Sequence, residues 1–387
     1  MRRIVLIVLG VVLVAAAFLT ELPQVVDEHQ NQVLAKPPYH ASDKAFALHS
    51  QLTVADLHAD SLLWGRDLLE RDTVGHVDIP RLAEGNVALQ VFSLPPKTPR
   101  GLNIERNDDR TDNITLLAIA ERWPVATWNS LTQRALYQAS RLHKFANGSR
   151  GGFVVIESAA DLSSYLERRT KNRNLTAGLL SIEGAHALDG KLENVDVLYR
   201  AGYRMMSPSH FFDTDIGGAA AGVGKIGLTD KGREWVRQME ARHMIIDLAH
   251  ASPRTIDDVL AIATRPIVVS HTGVKGTCNN NRNLTDDQIR AVAAKGGLIG
   301  IGYWDTATCG TDARAIVKAM RYVSGLVGAT HVALGSDFDG AVTEPFDTTG
   351  LVKITEAMME AGFSEPEIRM IMGENAMKFL QENLPEK

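Results

Sequence analysis

The sequence predicts an α/β fold, a (β/α)8 TIM-type barrel preceded by an N-terminal apolar helix. Three observations lead to this prediction: eight short apolar runs recur along the chain, stretches with helix caps separate them, and polar residues directly follow several runs. Short apolar strands without alternation are typical of a parallel sheet that is covered on both faces. Eight such strands separated by helices are the number that a (β/α)8 barrel requires.

Residues 1–26 are expected to form a signal peptide or a membrane anchor. Met1-Arg2-Arg3 is a basic start, and Ile4–Leu19 is a run of sixteen apolar or small residues. This length suits a secretory signal and lies just under the ~17–25 residues of a spanning helix. Ala15-Ala16-Ala17 is a candidate cleavage site, whereas Val25-Val26 extends the apolar character, so both interpretations stay open. Either one predicts an exported protein at the periplasmic or extracellular face, with membrane contact if the segment is retained.

The rest of the chain divides into a linker and one large domain. Residues 27–50 are polar and contain Pro37-Pro38, which suits a linker and lead-in. Residues 51–387 are expected to form the barrel, with a helical insertion at about 100–175. The predicted strands are 52–57, 87–92, 177–182, 203–208, 244–248, 266–270, 297–302 and 331–336, and a small extra strand is expected at 153–157.

Helix caps support the strand–helix alternation. Ser252 precedes Pro253 at the start of one apolar-periodic stretch, and Thr285 precedes another. Ser364 and Glu367 have the spacing of a capping box. The net charge of -5 gives no electrostatic reason to expect a nucleic-acid partner.

Polar residues at the ends of the apolar runs are the strongest functional signal. They are His58, Asp60, Glu183, His250, His271 and Asp337. In a (β/α)8 barrel the carboxyl ends of the strands meet at one face, so these side chains should converge there. Any one of them alone is more often a strand cap or a core histidine. Together, imidazoles and carboxylates indicate a metal site, and a carboxylate such as Glu183 can bridge two ions. The pattern therefore favours a barrel of the metal-dependent hydrolase type.

Eight segments of the chain resemble the membrane dipeptidase (renal dipeptidase-type) family of zinc peptidases. They are DLHAD, SIEGAHAL, MSPSHFFDTD, GLTDKGREWV, IIDLAHAS, IVVSHTGVKGTCNNNRNLTDD, GSDFDG and IMGENAMKF. The resemblance covers roughly residues 50–385, and the order and spacing of so many segments make it specific. It implies a dipeptidase with two zinc ions per chain and a homodimeric assembly. Its substrates would be dipeptides, including those with a C-terminal D-residue, and some β-lactams.

The resemblance assigns the metal ligands residue by residue. His58 and Asp60 would bind one zinc ion, and His250 and His271 would bind the second. Glu183 would bridge the two ions. Imidazole and carboxylate ligands also accept cobalt or manganese, so ligand type alone leaves the native metal open.

The resemblance also implies roles for three residues around the metals. His210 matches a substrate-contacting histidine, Arg282 a substrate-binding arginine, and Asp337 an acidic residue near the metals. Two zinc ions would supply a bridging hydroxide near neutral pH. Asp337 would then pass a proton to the leaving amine, His210 would stabilise the oxyanion, and Arg282 would hold the substrate carboxylate.

Two other functions remain as alternatives. Another metal-dependent amidohydrolase on the same barrel would act on a cyclic amide, an N-acyl amino acid or a β-lactam. Many such enzymes use an H-x-H motif and a bridging modified lysine, whereas Asp60 and Glu183 take those places here. A non-catalytic binding protein on a decayed barrel should have lost a ligand or Asp337, and neither is lost.

The two cysteines are predicted to lie close together. Cys278 follows the sixth predicted strand and Cys309 follows the seventh, so both fall at the barrel rim near Arg282. In an oxidising, exported setting we expect a disulfide between them. Two free thiols, or one thiol bound to zinc, are the alternatives.

Overall fold

The computed structural model describes residues 22–387, so the apolar helix predicted within the first residues lies outside the described part. Within that part, the strands are β1 (Val54–Ala59), β2 (Val87–Phe92), β3 (Phe153–Val155), β4 (Thr176–Ile182), β5 (Tyr203–Met206), β6 (Ile245–Ile246), β7 (Val268–Thr272), β8 (Leu298–Ile301) and β9 (Val332–Leu334). All pairings between these strands are parallel.

Eight of these strands close into a barrel. The hydrogen-bonded order is β6-β5-β4-β2-β1-β9-β8-β7. A parallel bridge between Asp247 and Val268 joins the β6 end of this order to β7 and closes the ring. The small strand β3 pairs with the first residues of β4, outside the ring. The predicted (β/α)8 barrel is confirmed, and every predicted strand overlaps an observed one.

Helices alternate with the strands. The first described helix, α1, covers residues 22–30. The others are α2 (Asp43–His49), α3 (Ile79–Glu84), α4 (Asn113–Ala120), α5 (Leu131–Gly148), α6 (Ala159–Lys171), α7 (Asn194–Arg200), α8 (Asp230–Ala241), α9 (Pro253–Ile262), α10 (Asp286–Ala294), α11 (Asp305–Thr308), α12 (Ala313–Val327), α13 (Val352–Glu360), α14 (Glu365–Arg369) and α15 (Asn375–Asn383). None of the helices in residues 22–387 is long and apolar enough to cross a bilayer.

The sequence-predicted caps form as expected. Ser252 accepts a hydrogen bond from the Thr255 amide, with Pro253 in the first turn of α9. Thr285 with Gln288, and Ser364 with Glu367, make complete capping boxes at α10 and α14. These caps satisfy amides that the first turn of a helix otherwise leaves unpaired.

Two long segments lie outside the simple strand–helix repeat. Between β2 and β4 the chain forms α4, α5, β3 and α6, within the stretch where a helical insertion is expected. Residues 27–50, expected as linker and lead-in, contain the end of α1 and all of α2. This segment also contacts the barrel, because Val33 forms a parallel bridge with Glu344.

Strand ends differ from the prediction where polar residues continue the ladder. The first strand was predicted at 52–57 but runs over Val54–Ala59, because Ala59 still pairs with Phe92 of β2. His58 therefore lies inside a strand rather than in the loop after it. Every residue of β1, β2 and β4 is buried, as expected for a parallel sheet covered on both faces.

Truncation of a buried strand residue should destabilise the barrel. Leu180 of β4 is completely buried, so Leu180→Ala should lower the free energy of unfolding by about 2–5 kcal/mol through lost burial and a residual cavity. Leu116 of α4 is 52% exposed, and Leu116→Ala should change it by no more than about 0.5 kcal/mol. Denaturant titration of both variants measures the difference, and equal effects would contradict this assignment of the core.

Candidate metal centre at the barrel mouth

The predicted site residues all lie at the carboxyl end of the barrel. His58 and His271 are the second-last residues of β1 and β7. The others follow strands: Asp60 follows β1, Glu183 follows β4, His210 follows β5, His250 follows β6 and Asp337 follows β9. The seven residues come from six strands, with His58 and Asp60 sharing β1, so the rigid barrel sets the spacing between them. All of them are buried to nine-tenths or more.

Glu183 is at the centre of this cluster. Its Oε1 lies 3.3 Å from Nε2 of both His250 and His271 and 3.6 Å from Nε2 of His58. Its Oε2 lies 3.2 Å from Nε2 of His210. A single carboxylate thus faces four imidazoles, which is the position that a bridging ligand would occupy.

Two further carboxylates complete the side of the cluster next to β1. Nε2 of His58 lies 3.5 Å from Oδ1 of Asp60 and 3.7 Å from Oδ1 of Asp337. The Nε2 atoms of His250 and His271 lie 2.8 Å apart, and the centroids of the His58 and His271 rings lie 3.8 Å apart. The donors therefore form one continuous cluster, in which Glu183 lies within 3.6 Å of four histidine nitrogens.

The donor set fits metal ions. Within residues 22–387, no hydrogen-bond partner reaches Nε2 of His58, Oδ1 of Asp60 or Oε1 of Glu183, although all three atoms are buried. Buried polar atoms are normally paired, so these atoms point to a missing ligand. Donors bound to one tetrahedral ion at about 2.0–2.1 Å lie roughly 3.3 Å apart, close to the distances found here. In three overlapping groups, one donor atom from each residue lies within 4.8 Å of the others: His58/Glu183/His271, Glu183/His210/His250 and His58/Asp60/Asp337.

The electrostatics of the cluster also favour a cation. Burial raises the pKa of Glu183 well above its usual range, and Asp60 and Asp337 add to this while His58 opposes it. Burial likewise raises the pKa of Asp337 to about 7, with His58 opposing and Asp60 adding. Burial lowers the pKa of His250 and His271 well below the ordinary value, which keeps them in the neutral form that binds metals. A cation among these groups would stabilise the ionised carboxylates.

One histidine of the cluster is oriented by a buried hydrogen-bond chain. Ser270 Oγ donates to Oδ2 of Asp247 at 2.5 Å. The same oxygen lies 2.9 Å from Nδ1 of His271 and can accept a hydrogen bond from the Nδ1–H group. This arrangement leaves Nε2 of His271 unprotonated and directed at Glu183. Partners of this kind fix the tautomer and the ring orientation of metal-ligating histidines.

Asp56 performs a similar task for the backbone near His58. Its carboxylate accepts from the amide of His58 at 3.0 Å and from the side chain of Gln90 at 3.0 Å. It also accepts from the Ser336 amide and hydroxyl, one residue before Asp337. Sequence reasoning missed both Asp56 and Asp247. The signal was present, because each is an acidic residue within an apolar run, two or three positions before a predicted ligand histidine.

The predicted substrate residues surround the cluster. His210 lies among the donors themselves, and its ring packs 3.9 Å from that of Phe211. Arg282 donates to the carbonyl oxygen of His271 at 2.7 Å, and its guanidinium lies 5.6 Å from the Trp304 ring. Its buried Nε has no partner among the described residues, so it remains able to bind a ligand. Asp339, two residues after Asp337, points away from the metal donors and binds Ser61 and Arg66.

The two cysteines are joined at the rim. Cys278 and Cys309 form a disulfide across a sequence separation of 31 residues. Arg282 lies inside the loop that this bond closes. Asn283 ties the same loop to the rim by donating to the carbonyls of Cys278 and Ala307 at 2.7 and 3.0 Å. The segment that carries Arg282 is therefore braced on both sides.

A (β/α)8 barrel with imidazole and carboxylate donors at its strand ends belongs to the class of metal-dependent hydrolases. A family model described as membrane dipeptidase (peptidase family M19) matches residues 42–385. The chain belongs to this family, and it is a metallopeptidase.

Individual relatives agree with this assignment. The chain is 25% identical over 321 residues to dipeptidase tcpJ of Claviceps purpurea, covering 81% of this chain and 70% of that protein. It is 29% identical over 259 residues to an uncharacterized protein in the pqqA 5′ region of Klebsiella pneumoniae, covering 63% of this chain and 94% of that protein. A crystal structure of a metallo peptidase from Rhodobacter sphaeroides matches the fold with a TM-score of 0.70 at 24% identity, covering 86% of this chain and 99% of that one.

Substitution of Glu183 should reduce metal binding. Glu183→Gln keeps the size of the side chain but removes the charge that faces His58, His250 and His271, so the purified variant should hold fewer metal ions per chain than the unaltered protein. Elemental analysis after dialysis measures this. Glu193→Gln is the matched control, because Glu193 is exposed and is not one of the donors. Equal metal content in both variants would remove Glu183 from the site.

Proposed function

We propose that the protein is a binuclear zinc dipeptidase that hydrolyses dipeptides, including those with a D-residue at the C-terminal position. The observation that carries this proposal is the position of Glu183, whose Oε1 lies within 3.6 Å of three histidine nitrogens contributed by β1, β7 and the segment after β6. A carboxylate enclosed in this way suits a bridge between two ions, and membership of the dipeptidase family supplies the reaction class.

His58 and Asp60 would hold one ion, His250 and His271 the other, and Glu183 both. Two bound zinc ions supply Lewis acidity and a hydroxide near neutral pH. The remaining residues of the site then have separate tasks around the scissile bond. His210 and Asp337 follow strands of the barrel, and Arg282 lies in the loop closed by the disulfide, so the structure fixes the position of each one.

Asp337 is the residue best placed to move a proton. Its Oδ1 lies 3.7 Å from Nε2 of His58, next to the candidate metal ligands. A carboxylate in this position accepts a proton from the attacking water and gives it to the leaving amine. The Phe338 amide donates to the Ser336 hydroxyl, and this hydroxyl donates to Asp56. These two bonds hold the backbone on either side of Asp337.

His210 and Arg282 would contact two groups of the dipeptide, the scissile carbonyl and the C-terminal carboxylate. His210 is positioned to stabilise the oxyanion that forms at the scissile carbonyl. Arg282 presents a planar fork suited to a carboxylate, and a dipeptide carries its free carboxylate next to the scissile bond. The Rhodobacter sphaeroides relative was crystallised with a phosphinate mimic of L-Ala-D-Ala, which supports a D-residue at this position.

We also propose that the protein is exported and that residues 1–26 act as a signal peptide or an anchor. The mass of the mature protein from membrane and soluble fractions tests this: a chain beginning after Ala17 indicates cleavage, and an intact chain in the membrane fraction indicates an anchor. An intact chain in the cytosol would contradict export. The homodimer implied by the family resemblance stays a prediction for light scattering.

Hydrolysis of a dipeptide panel should require the metal. We expect amine release from L-L and L-D dipeptides by the purified protein, loss of turnover after chelation, and recovery at about two zinc ions per chain. Amine release and metal content are measured on the same samples.

The other outcomes of this panel discriminate the alternatives. Two bound metals without dipeptide turnover would favour another amidohydrolase reaction, with a cyclic amide, an N-acyl amino acid or a β-lactam as the substrate. A chain that binds no metal at all would contradict the proposal.

Arg282 should discriminate substrates by their C-terminal carboxylate. Arg282→Met keeps the length of the side chain but removes the charged fork. It should lower kcat/KM for dipeptides roughly 10- to 100-fold, since hydrogen bonds to charged groups contribute about 1.5–3 kcal/mol. Dipeptide amides, which lack the carboxylate, should be poor substrates of both proteins and should show little difference between them. An equal loss on both substrate types would mean that Arg282 supports the structure rather than the carboxylate.

A further inference from the structure

The loop that carries Asp337 has a strained backbone. Asp337, Asp339 and Ala341 have φ angles of 68°, 62° and 59°. Residues other than glycine rarely adopt this left-handed conformation. Several of them in one short loop persist only where neighbouring contacts hold them. The orientation of the Asp337 carboxylate therefore depends on whatever holds residues 337–341.

Asp339 is the main anchor of this loop. Its carboxylate accepts from the Ser61 hydroxyl at 2.5 Å and from the His76 amide at 2.6 Å, and its carbonyl accepts from Trp64 Nε1 at 2.7 Å. Ser61 directly follows the candidate ligand Asp60. A single completely buried residue thus connects the loop after β9 to the segment after β1.

Arg66 links this anchor to α1, in the segment before the barrel. Its Nη2 lies 2.8 Å from Oδ1 of Asp339, and its Nε donates to Oδ2 of Asp27 at 2.9 Å. Asp27 is only 3% exposed. Burial raises its pKa to about 6, with Arg66 opposing, so at neutral pH the group is ionised and pairs with the guanidinium.

A second contact from the same segment reaches the loop directly. Asn31 donates to Oδ1 of Asp27 at 2.7 Å and accepts from the Ala341 amide at 2.9 Å. Asn31 is 2% exposed; its bond to Asp27 is buried, and its bond to Ala341 is partly buried. The chain then continues along the barrel, where the Glu344 amide donates to the Gln32 carbonyl at 2.8 Å.

We propose that Asp27 and Asn31 are positioning residues for Asp337, so that the segment before the barrel completes the catalytic site. Asp27 acts through Arg66 on Asp339, and Asn31 acts on Ala341, at the far end of the same strained loop. The effect on turnover rests on the proposed dipeptidase function. The effect on the loop does not, because it follows from the contacts alone.

The test uses the full chain and two pairs of matched variants. Asp27→Asn is compared with Glu28→Gln, and Asn31→Ala with Gln30→Ala, since Glu28 and Gln30 are exposed neighbours in the same segment. Dipeptide kcat and KM, metal content and thermal midpoint are measured for each. Hydrogen–deuterium exchange of peptides covering residues 335–345 reports on the loop without any need for activity.

We expect Asp27→Asn and Asn31→Ala to raise exchange in residues 335–345 but not in β4, and to lower kcat roughly 10- to 100-fold through misplacement of Asp337. KM and metal content should stay unchanged, and both controls should match the unaltered protein. A lower thermal midpoint with unchanged kcat and unchanged loop exchange would overturn the proposal, since it would show a purely structural role.

Two further outcomes are also decisive. If Asp27→Asn does not fold, Asn31→Ala and its control decide the question alone. If the unaltered protein hydrolyses no dipeptide, the proposed function fails, and the exchange of residues 335–345 still supports or overturns the positioning of the loop.

Discussion

Burial of charge at the barrel mouth is the constraint on which the rest of the site depends. Glu183, Asp60 and Asp337 are carboxylates placed within a few ångströms of one another and removed from water, an arrangement that is unfavourable unless positive charge is added. Neutral imidazoles cannot supply that charge. The barrel brings these carboxylates together because the carboxyl ends of its parallel strands converge. A bound metal cation would supply the positive charge that stabilises them.

A second layer of buried acids holds the first in place. Asp56 joins β1, β2 and the segment after β9, Asp247 joins β6 to β7 through Ser270, and Asp339 joins the loop after β9 to the segment after β1. Each accepts several hydrogen bonds, so its burial is compensated locally. The barrel mouth thus contains two kinds of buried acid. Those of the first kind are candidate metal ligands, and the carboxylate oxygens of the second kind are all hydrogen-bonded to neighbouring strand ends.

The sequence predicted the barrel and the central cluster because both rest on local patterns. Apolar runs gave the strands, and polar residues such as Glu183 at the ends of runs indicated convergence. Residues 22–26 of α1 were predicted as part of a signal peptide or anchor, and residues 27–30 as linker and lead-in. Nothing local in the sequence shows that Asp27 meets Arg66 and that Arg66 meets Asp339. Such contacts join residues far apart in the chain. The bounds of β1 were also missed, because a polar residue such as His58 can continue a ladder that composition suggests has ended.

The disulfide at the rim has a consequence for when the enzyme becomes complete. Cys278 and Cys309 enclose the segment that carries Arg282, and structural disulfides form and persist mainly in oxidising compartments. Without the disulfide, the segment that carries Arg282 would be held by contacts such as those of Asn283 with the carbonyls of Cys278 and Ala307. Under the proposed function, the segment that would bind the substrate carboxylate reaches its final rigidity only once this bond has formed.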